Sequence, residues 1–173
     1  MTTDEIKSKL KQTLKENRYN HTIGVMETAV KLARVYGEDE NKAEIAGLLH
    51  DCAREIRGEE LFELCGKYHI PVDDVSRAQP ELLHGPVGAK LAEEVFGIKD
   101  ADILNAICYH TTGRMNMSML EKIIYIADII EPLRSFEGVE ELRKEAVVDI
   151  NRAVLLALDG SIRYVLSKGA MLH

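Results

Sequence analysis

The nine residues AEIAGLLHD, positions 43–51, decide how the chain is read. The stretch is apolar until its last two positions, and it has the look of a core helix that ends abruptly on His50 and Asp51. A second apolar stretch, IIYIADIIE at positions 123–131, carries Asp128 in its interior. Neither stretch alternates polar and apolar residues as a half-buried strand would. A buried carboxylate without a partner is very unfavourable, so Asp128 must be paired, hydrogen-bonded, neutral or bound to a metal.

Working outward, the rest of the chain is also helical. Thr2 with Glu5 three residues on forms a capping-box pattern that opens a first helix to about Asn17. From His21, apolar residues at Met26, Ala29, Val30, Ala33 and Tyr36 keep a helical period, and Gly37 stands where a helix-ending glycine would. Residues 58–68 read as a helix, while Pro71 and Pro80 punctuate a less definite stretch at 70–79. Pro86 suits the first turn of a helix running to Gly97, and Asp100 or Asp102 starts another that reaches His110. Ser118 with Glu121 repeats the capping box ahead of Asp128. A last long helix is expected from Val139 or Lys144 to Lys168. The expectation is an all-α fold of seven to nine helices in a single globular domain over residues 1–173.

Composition narrows the function. At 173 residues the chain can bury a core without covalent staples. Its three cysteines, Cys52, Cys65 and Cys108, show no paired spacing, which fits a reducing cytoplasm better than a disulfide framework. The opening residues alternate charges through their apolar positions, unlike a secretory leader. No apolar run approaches the roughly 18 residues a membrane span needs. A net charge of −7 without basic clusters argues against nucleic acid as a partner. An acidic protein can still act on phosphates if positive charge is local, and bound cations supply it most simply.

The polar residues that interrupt apolar patterns are His21, His50, Asp51, His84, His110 and Asp128, spread over five segments. Imidazole and carboxylate together make a ligand set for divalent transition metals. Taken singly, each has a plainer reading: His50 as a hydrogen-bonded core histidine, Asp128 as a helix cap or the partner of an arginine. Asp51 has two oxygens and can serve one ion or bridge two. Residue chemistry alone leaves these readings balanced.

Five blocks tip the balance: RYNHTIGVMETA (18–29), AEIAGLLHDCAR (43–54), PELLHGPVGA (80–89), ICYHTTGR (107–114) and LEKIIYIADIIEPLR (120–134). His21, His50-Asp51 and Asp128 in this order resemble the HD superfamily of metal-dependent phosphohydrolases. The five blocks together resemble its YqeK family, the symmetrical bis(5′-nucleosyl)-tetraphosphatases, which cut diadenosine tetraphosphate into two ADP. The resemblance implies that His21, His50, Asp51 and Asp128 hold a divalent metal, with iron the family expectation. It places His84 and His110 toward a second metal ion or the substrate phosphates. Asp51, His84 and His110 are then the catalytic candidates, with a metal-bound hydroxide attacking the phosphoanhydride.

Arg18, Arg54 and Arg134 each lie close in sequence to a ligand, and arginine forks grip phosphate bidentately. With His84, His110 and Thr111 they are the candidate substrate-binding residues. Their plain alternative is surface charge, as it is for Lys122 and Arg114. Glu131, one turn past Asp128, either orients a ligand histidine or is a solvated helix-end charge. The resemblance also implies a C-terminal tail enclosing the nucleotide, longer than the closing SKGAMLH supplies. A homodimer is carried as an open alternative among partners. Other readings are a different HD-type nucleotide phosphohydrolase, such as a nucleotidase or phosphodiesterase, and a nucleotide sensor without turnover.

Overall fold

The computed structural model describes residues 1–173 as ten α-helices and one 3₁₀ turn, without strands. The helices are α1 (Thr3–Thr13), α2 (Glu16–Tyr36), α3 (Glu40–Leu49), α4 (Gly58–Lys67), α5 (Asp74–Ala78), α6 (His84–Phe96), α7 (Ala101–Tyr109), α8 (Met119–Ile130), α9 (Val139–Val148) and α10 (Ile150–Ser167). The 3₁₀ turn, Pro80–Leu83, leads directly into α6. No helix is long and apolar enough to cross a membrane.

Local chemistry sets most boundaries. Thr2 and Ser118 both form the expected capping boxes, with Glu5 and Glu121 as the reciprocal partners. Asp39, Asp73, Asp100 and Asp149 cap α3, α5, α7 and α10 by accepting backbone N–H bonds in the first turn. Asp149 also accounts for a correction. The single long C-terminal helix is two helices, because Asp149 is extended (φ −146°) and turns its carboxylate to the N–H groups of Asn151 and Arg152. Likewise α2 starts at Glu16, so His21 lies in its second turn rather than at its opening.

The main core holds 31 buried residues from α1, α2, α3, α6, α7, α8, α9 and α10. Helix α8 runs through its centre, with Ile123, Ile124, Ile126 and Ala127 all fully buried. Burying an aliphatic side chain contributes about 1.5–3 kcal/mol, so α8 is anchored far more firmly than its propensity alone would manage. Helices α2 and α3 pack backbone to backbone at Gly47, where any Cβ would come within 2.8 Å of the Met26 Cα. A separate cluster of five, Ala53, Leu61, Cys65, Leu83 and Val87, holds α4 and the 3₁₀ turn against the start of α6.

Candidate metal centre

The segment ends meet at one place. His21 comes from α2, His50 caps the C-terminus of α3, and Asp51 follows in the adjoining turn. His84 begins α6, His110 caps α7, and Asp128 lies in the last turn of α8. The four imidazoles form an arc of edge-on neighbours, His21–His50–His110–His84, with ring centroids 5.4, 5.0 and 4.8 Å apart. Each histidine and Asp51 is less than a tenth exposed.

The outer nitrogen of every ring is tethered. Nδ1 of His50 donates to the Gly47 carbonyl at 2.7 Å, and that of His110 to the Ile107 carbonyl at 2.7 Å. His84 Nδ1 donates to the Glu81 carbonyl, and His21 Nδ1 to Glu131 Oε1 at 2.9 Å. These acceptors assign the proton to Nδ1, so all four Nε2 atoms turn lone pairs inward. Nε2 of His21 and of His50 are buried with no hydrogen-bond partner. His84 Nε2 lies 3.0 Å from His110 Nε2, an arrangement that two bare lone pairs would oppose. Converging, unprotonated nitrogen and carboxylate donors are what a divalent cation requires, so these residues fit a metal.

Asp51 faces both ends of the arc. Its Oδ2 lies 3.4 Å from His50 Nε2 and 3.7 Å from His21 Nε2. Its Oδ1 lies 3.0 Å from His84 Nε2 and 3.7 Å from His110 Nε2. Asp128 Oδ1 sits 3.0 Å from His21 Nε2 and 4.0 Å from His50 Nε2. Three overlapping ligand groups result: His21–His50–Asp51, His50–His110–Asp128 and Asp51–His84–His110.

Electrostatics separates the two ends. Burial opposes a charge on Asp51, but the facing imidazoles outweigh it and hold its carboxyl far below the usual range. Asp128 behaves likewise, with His21 the main opposing influence. Burial also opposes a charge on His50, yet Asp51 and Asp128 outweigh it and raise its affinity for positive charge. His110 goes the other way: burial, then His84 and His50, push its pKa down to about 3, so it is neutral at ordinary pH.

The candidate phosphate-binding groups surround this cluster. Arg18 Nη1 donates to Asp51 Oδ2 at 2.7 Å, and Arg134 Nη2 to Asp128 Oδ1 at 2.6 Å, each guanidinium keeping an exposed side. Thr111 Oγ1 is 3.0 Å from His110 Nε2 and 3.4 Å from His84 Nε2. Arg54 lines a cavity that opens onto His84. Two other cations are engaged elsewhere: Arg114 forks onto Glu121 at 2.6 and 3.1 Å, and Lys122 bonds Asn151 at 2.8 Å. Glu131 is buried and orients His21, which settles its two open readings in favour of the histidine.

Arg143 and Gly85 escaped sequence reasoning. Arg143, on α9, donates to the carbonyls of Ile130, Glu131 and Arg134 at 2.8, 2.8 and 2.9 Å, and so fixes the turn that carries Glu131 and Arg134. The Ile130 and Glu131 carbonyls lie at the end of α8 and the Arg134 carbonyl in the turn beyond it, and no linear pattern links Arg143 to them. A Cβ at Gly85 would come within 2.6 Å of the Cys108 carbonyl, so only glycine lets α6 close on α7 and bring His84 to His110. The position of Gly85 next to His84 was the available signal.

This cluster, on an all-helical frame, defines a class: the chain belongs to the HD-domain family, whose model matches residues 18–133. Within that family, the symmetrical bis(5′-nucleosyl)-tetraphosphatase of Bacillus subtilis (strain 168) is 44% identical over 97% of this chain and 90% of its own length. The protein of the same name from Halalkalibacterium halodurans is 46% identical over 95% of this chain and 87% of its own. A crystal structure from Clostridium acetobutylicum, described as a predicted HD superfamily hydrolase involved in NAD metabolism, superposes with a TM-score of 0.97. It is 52% identical and covers all of this chain and 92% of its own.

Proposed function

We propose that this protein is a symmetrical bis(5′-nucleosyl)-tetraphosphatase that hydrolyses diadenosine tetraphosphate to two ADP in the cytoplasm. The observation that carries this reading is Asp51, whose two oxygens each face a different pair of histidines at the centre of the cluster. The names of its relatives supply the substrate.

On this reading His21, His50, Asp51 and Asp128 hold one divalent ion, and Asp51, His84 and His110 hold a second. Iron is the metal expected from the family resemblance. Bound metal supplies an acidified water and neutralises charge on the phosphoryl oxygens. The chain's own groups do the rest. Asp51 spans both ends of the cluster and keeps them in register. His110, neutral at ordinary pH, offers a lone pair rather than a proton. Arg18 and Arg134, each with one side on a ligand carboxylate and the other exposed, present N–H groups to a phosphate chain. The Thr111 hydroxyl, 3.0 Å from the His110 nitrogen, would bond a phosphoryl oxygen when substrate is present.

Incubation of metal-loaded protein with diadenosine tetraphosphate is expected to yield ADP alone. Equimolar ATP and AMP, or no cleavage, overturns the proposal. Elemental analysis of protein purified without added metal is expected to find iron, and a different ion there overturns the iron assignment alone.

A further inference from the structure

The arginines around the cluster fall into two pairs of unlike character. Arg18 and Arg134 lie at the His21–Asp128 end, each paired with a ligand carboxylate. At the His84 end, a cavity of about 390 Å³ is lined by Arg54, Arg57, Gly58, Pro80, Glu81 and His84. Neither Arg54 nor Arg57 has a hydrogen-bond or ion-pair partner within the chain; Arg54 is half-buried and Arg57 stands exposed at the cavity mouth. Two guanidiniums therefore face one cavity whose single acidic residue, Glu81, is exposed at the rim.

A partly buried, unpaired guanidinium such as that of Arg54 is costly unless something anionic meets it, and Arg57 adds a second free guanidinium at the same cavity. The volume falls within the range of about 300–1,000 Å³ typical of ligand sites. A larger cavity of about 680 Å³, walled by Tyr68, Leu83, Leu104 and Tyr109, includes none of the clustered histidines or aspartates. Only the smaller one shares a wall, His84, with the proposed metal centre.

We infer that this cavity is a diphosphate-binding subsite, with Arg57 and Arg54 gripping one arm of a polyphosphate whose other arm meets Arg18 and Arg134. The inference rests on the proposed reaction and adds to it a residue, Arg57, and a division of labour. A tetraphosphate cut at its centre has two identical diphosphate arms, and the protein offers one pair of arginines to each. A triphosphate has one arm too short to use both pairs, so Arg57 is a specificity-determining residue for chain length.

The test is Arg57→Gln beside Arg57→Lys, with Arg77→Gln as the control at an exposed arginine away from the cavity. Calorimetric binding of ADP and of inorganic pyrophosphate is measured alongside steady-state hydrolysis of diadenosine tetra- and triphosphate. A charge-assisted hydrogen bond lost to Gln predicts about a tenfold weaker ADP affinity or more. KM for the tetraphosphate should rise by a similar factor with kcat less affected, the triphosphate should suffer less, and Lys should recover part of the loss. Unchanged ADP and pyrophosphate affinity in Arg57→Gln overturns the subsite, whatever the hydrolysis assay shows. If the wild-type protein binds ADP through Arg57 but does not cleave the tetraphosphate, the subsite stands and the functional reading falls.

Discussion

The two ends of the cluster are built differently although they share Asp51. The His21–Asp128 end rests on α2, α3 and α8, which pass through the 31-residue core, and it is rich in carboxylates: Asp51, Asp128 and, behind His21, Glu131. At the other end, His84 rests on the five-residue cluster of Ala53, Leu61, Cys65, Leu83 and Val87. Its rings lean on backbone carbonyls, and Asp51 is the one carboxylate within 4 Å of them. Negative charge and rigidity both favour cation binding, so the first end is expected to bind metal more tightly. The second is the more easily lost and the more adjustable.

The largest effect is expected from removing what both ends share. Asp51→Asn should lose both ions and lower the rate by roughly a thousandfold or more, because a metal centre supplies several kcal/mol of transition-state stabilisation. Metal analysis that finds the wild-type complement in this variant breaks the bridging role.

A pair of substitutions sharpens the contrast between the ends. Asp128→Asn should release metal from the tight end, whereas His110→Ala should leave about one ion per chain bound and still lower the rate by roughly a hundredfold or more. Equal metal loss in both variants would erase the distinction. Glu131→Gln comes next in size: it leaves His21 as a ligand but weakens the acceptor on Nδ1, so metal affinity should fall about 10- to 100-fold without loss of the fold. Titration with a competing chelator reads this directly.

The tight end should also show the steeper pH dependence. A proton and a metal compete for His50 Nε2, and His50 has a raised pKa. Metal affinity there should therefore fall as the pH drops through that raised value and recover above it. His110, already neutral at ordinary pH, should add no such slope in the same range. A chelator titration repeated at several pH values tests both statements, and a flat profile for the tight site breaks the comparison.

The smallest effect concerns the frame. Leu61→Ala, in the five-residue cluster, should lower stability by about 2–3 kcal/mol and disturb His84 and Arg57 first. Ile124→Ala, deep in the main core, should cost about 3–4 kcal/mol with little change in ADP affinity once the protein is folded. Thermal unfolding and ADP calorimetry on the two variants separate local from global loss.

Much of this was legible in advance, for local reasons. Capping boxes at Thr2 and Ser118 and the interrupted apolar run at Asp128 act over three or four residues, which a linear pattern records. Asp149 shows where local reading failed: the apolar period runs across residues 139–168, but one aspartate found better hydrogen bonds as a cap than within a helix. Arg143 was invisible and Gly85 marked only by its place beside His84, because their partners, the carbonyls of Ile130, Glu131 and Arg134 and the Cys108 carbonyl, lie on other elements. Arg18, Arg54 and Arg134 were found by closeness to a ligand. Closeness alone did not separate the two paired arginines from the unpaired one, nor add Arg57.

By itself, then, the sequence determined that the chain is helical, where most helices begin, and which histidines and aspartates are candidate ligands. The first two follow from residue type and short-range hydrogen bonding, the third from the five blocks that resemble a known family. Only the tertiary structure decided that Asp51 turns one oxygen to each end of the arc, that Glu131 is spent on His21, and that Arg57 faces the His84 cavity while Arg114 and Lys122 are occupied elsewhere. Those outcomes depend on which buried donors and acceptors meet once α2, α3, α6, α7 and α8 have packed, and distance along the chain carries no record of it.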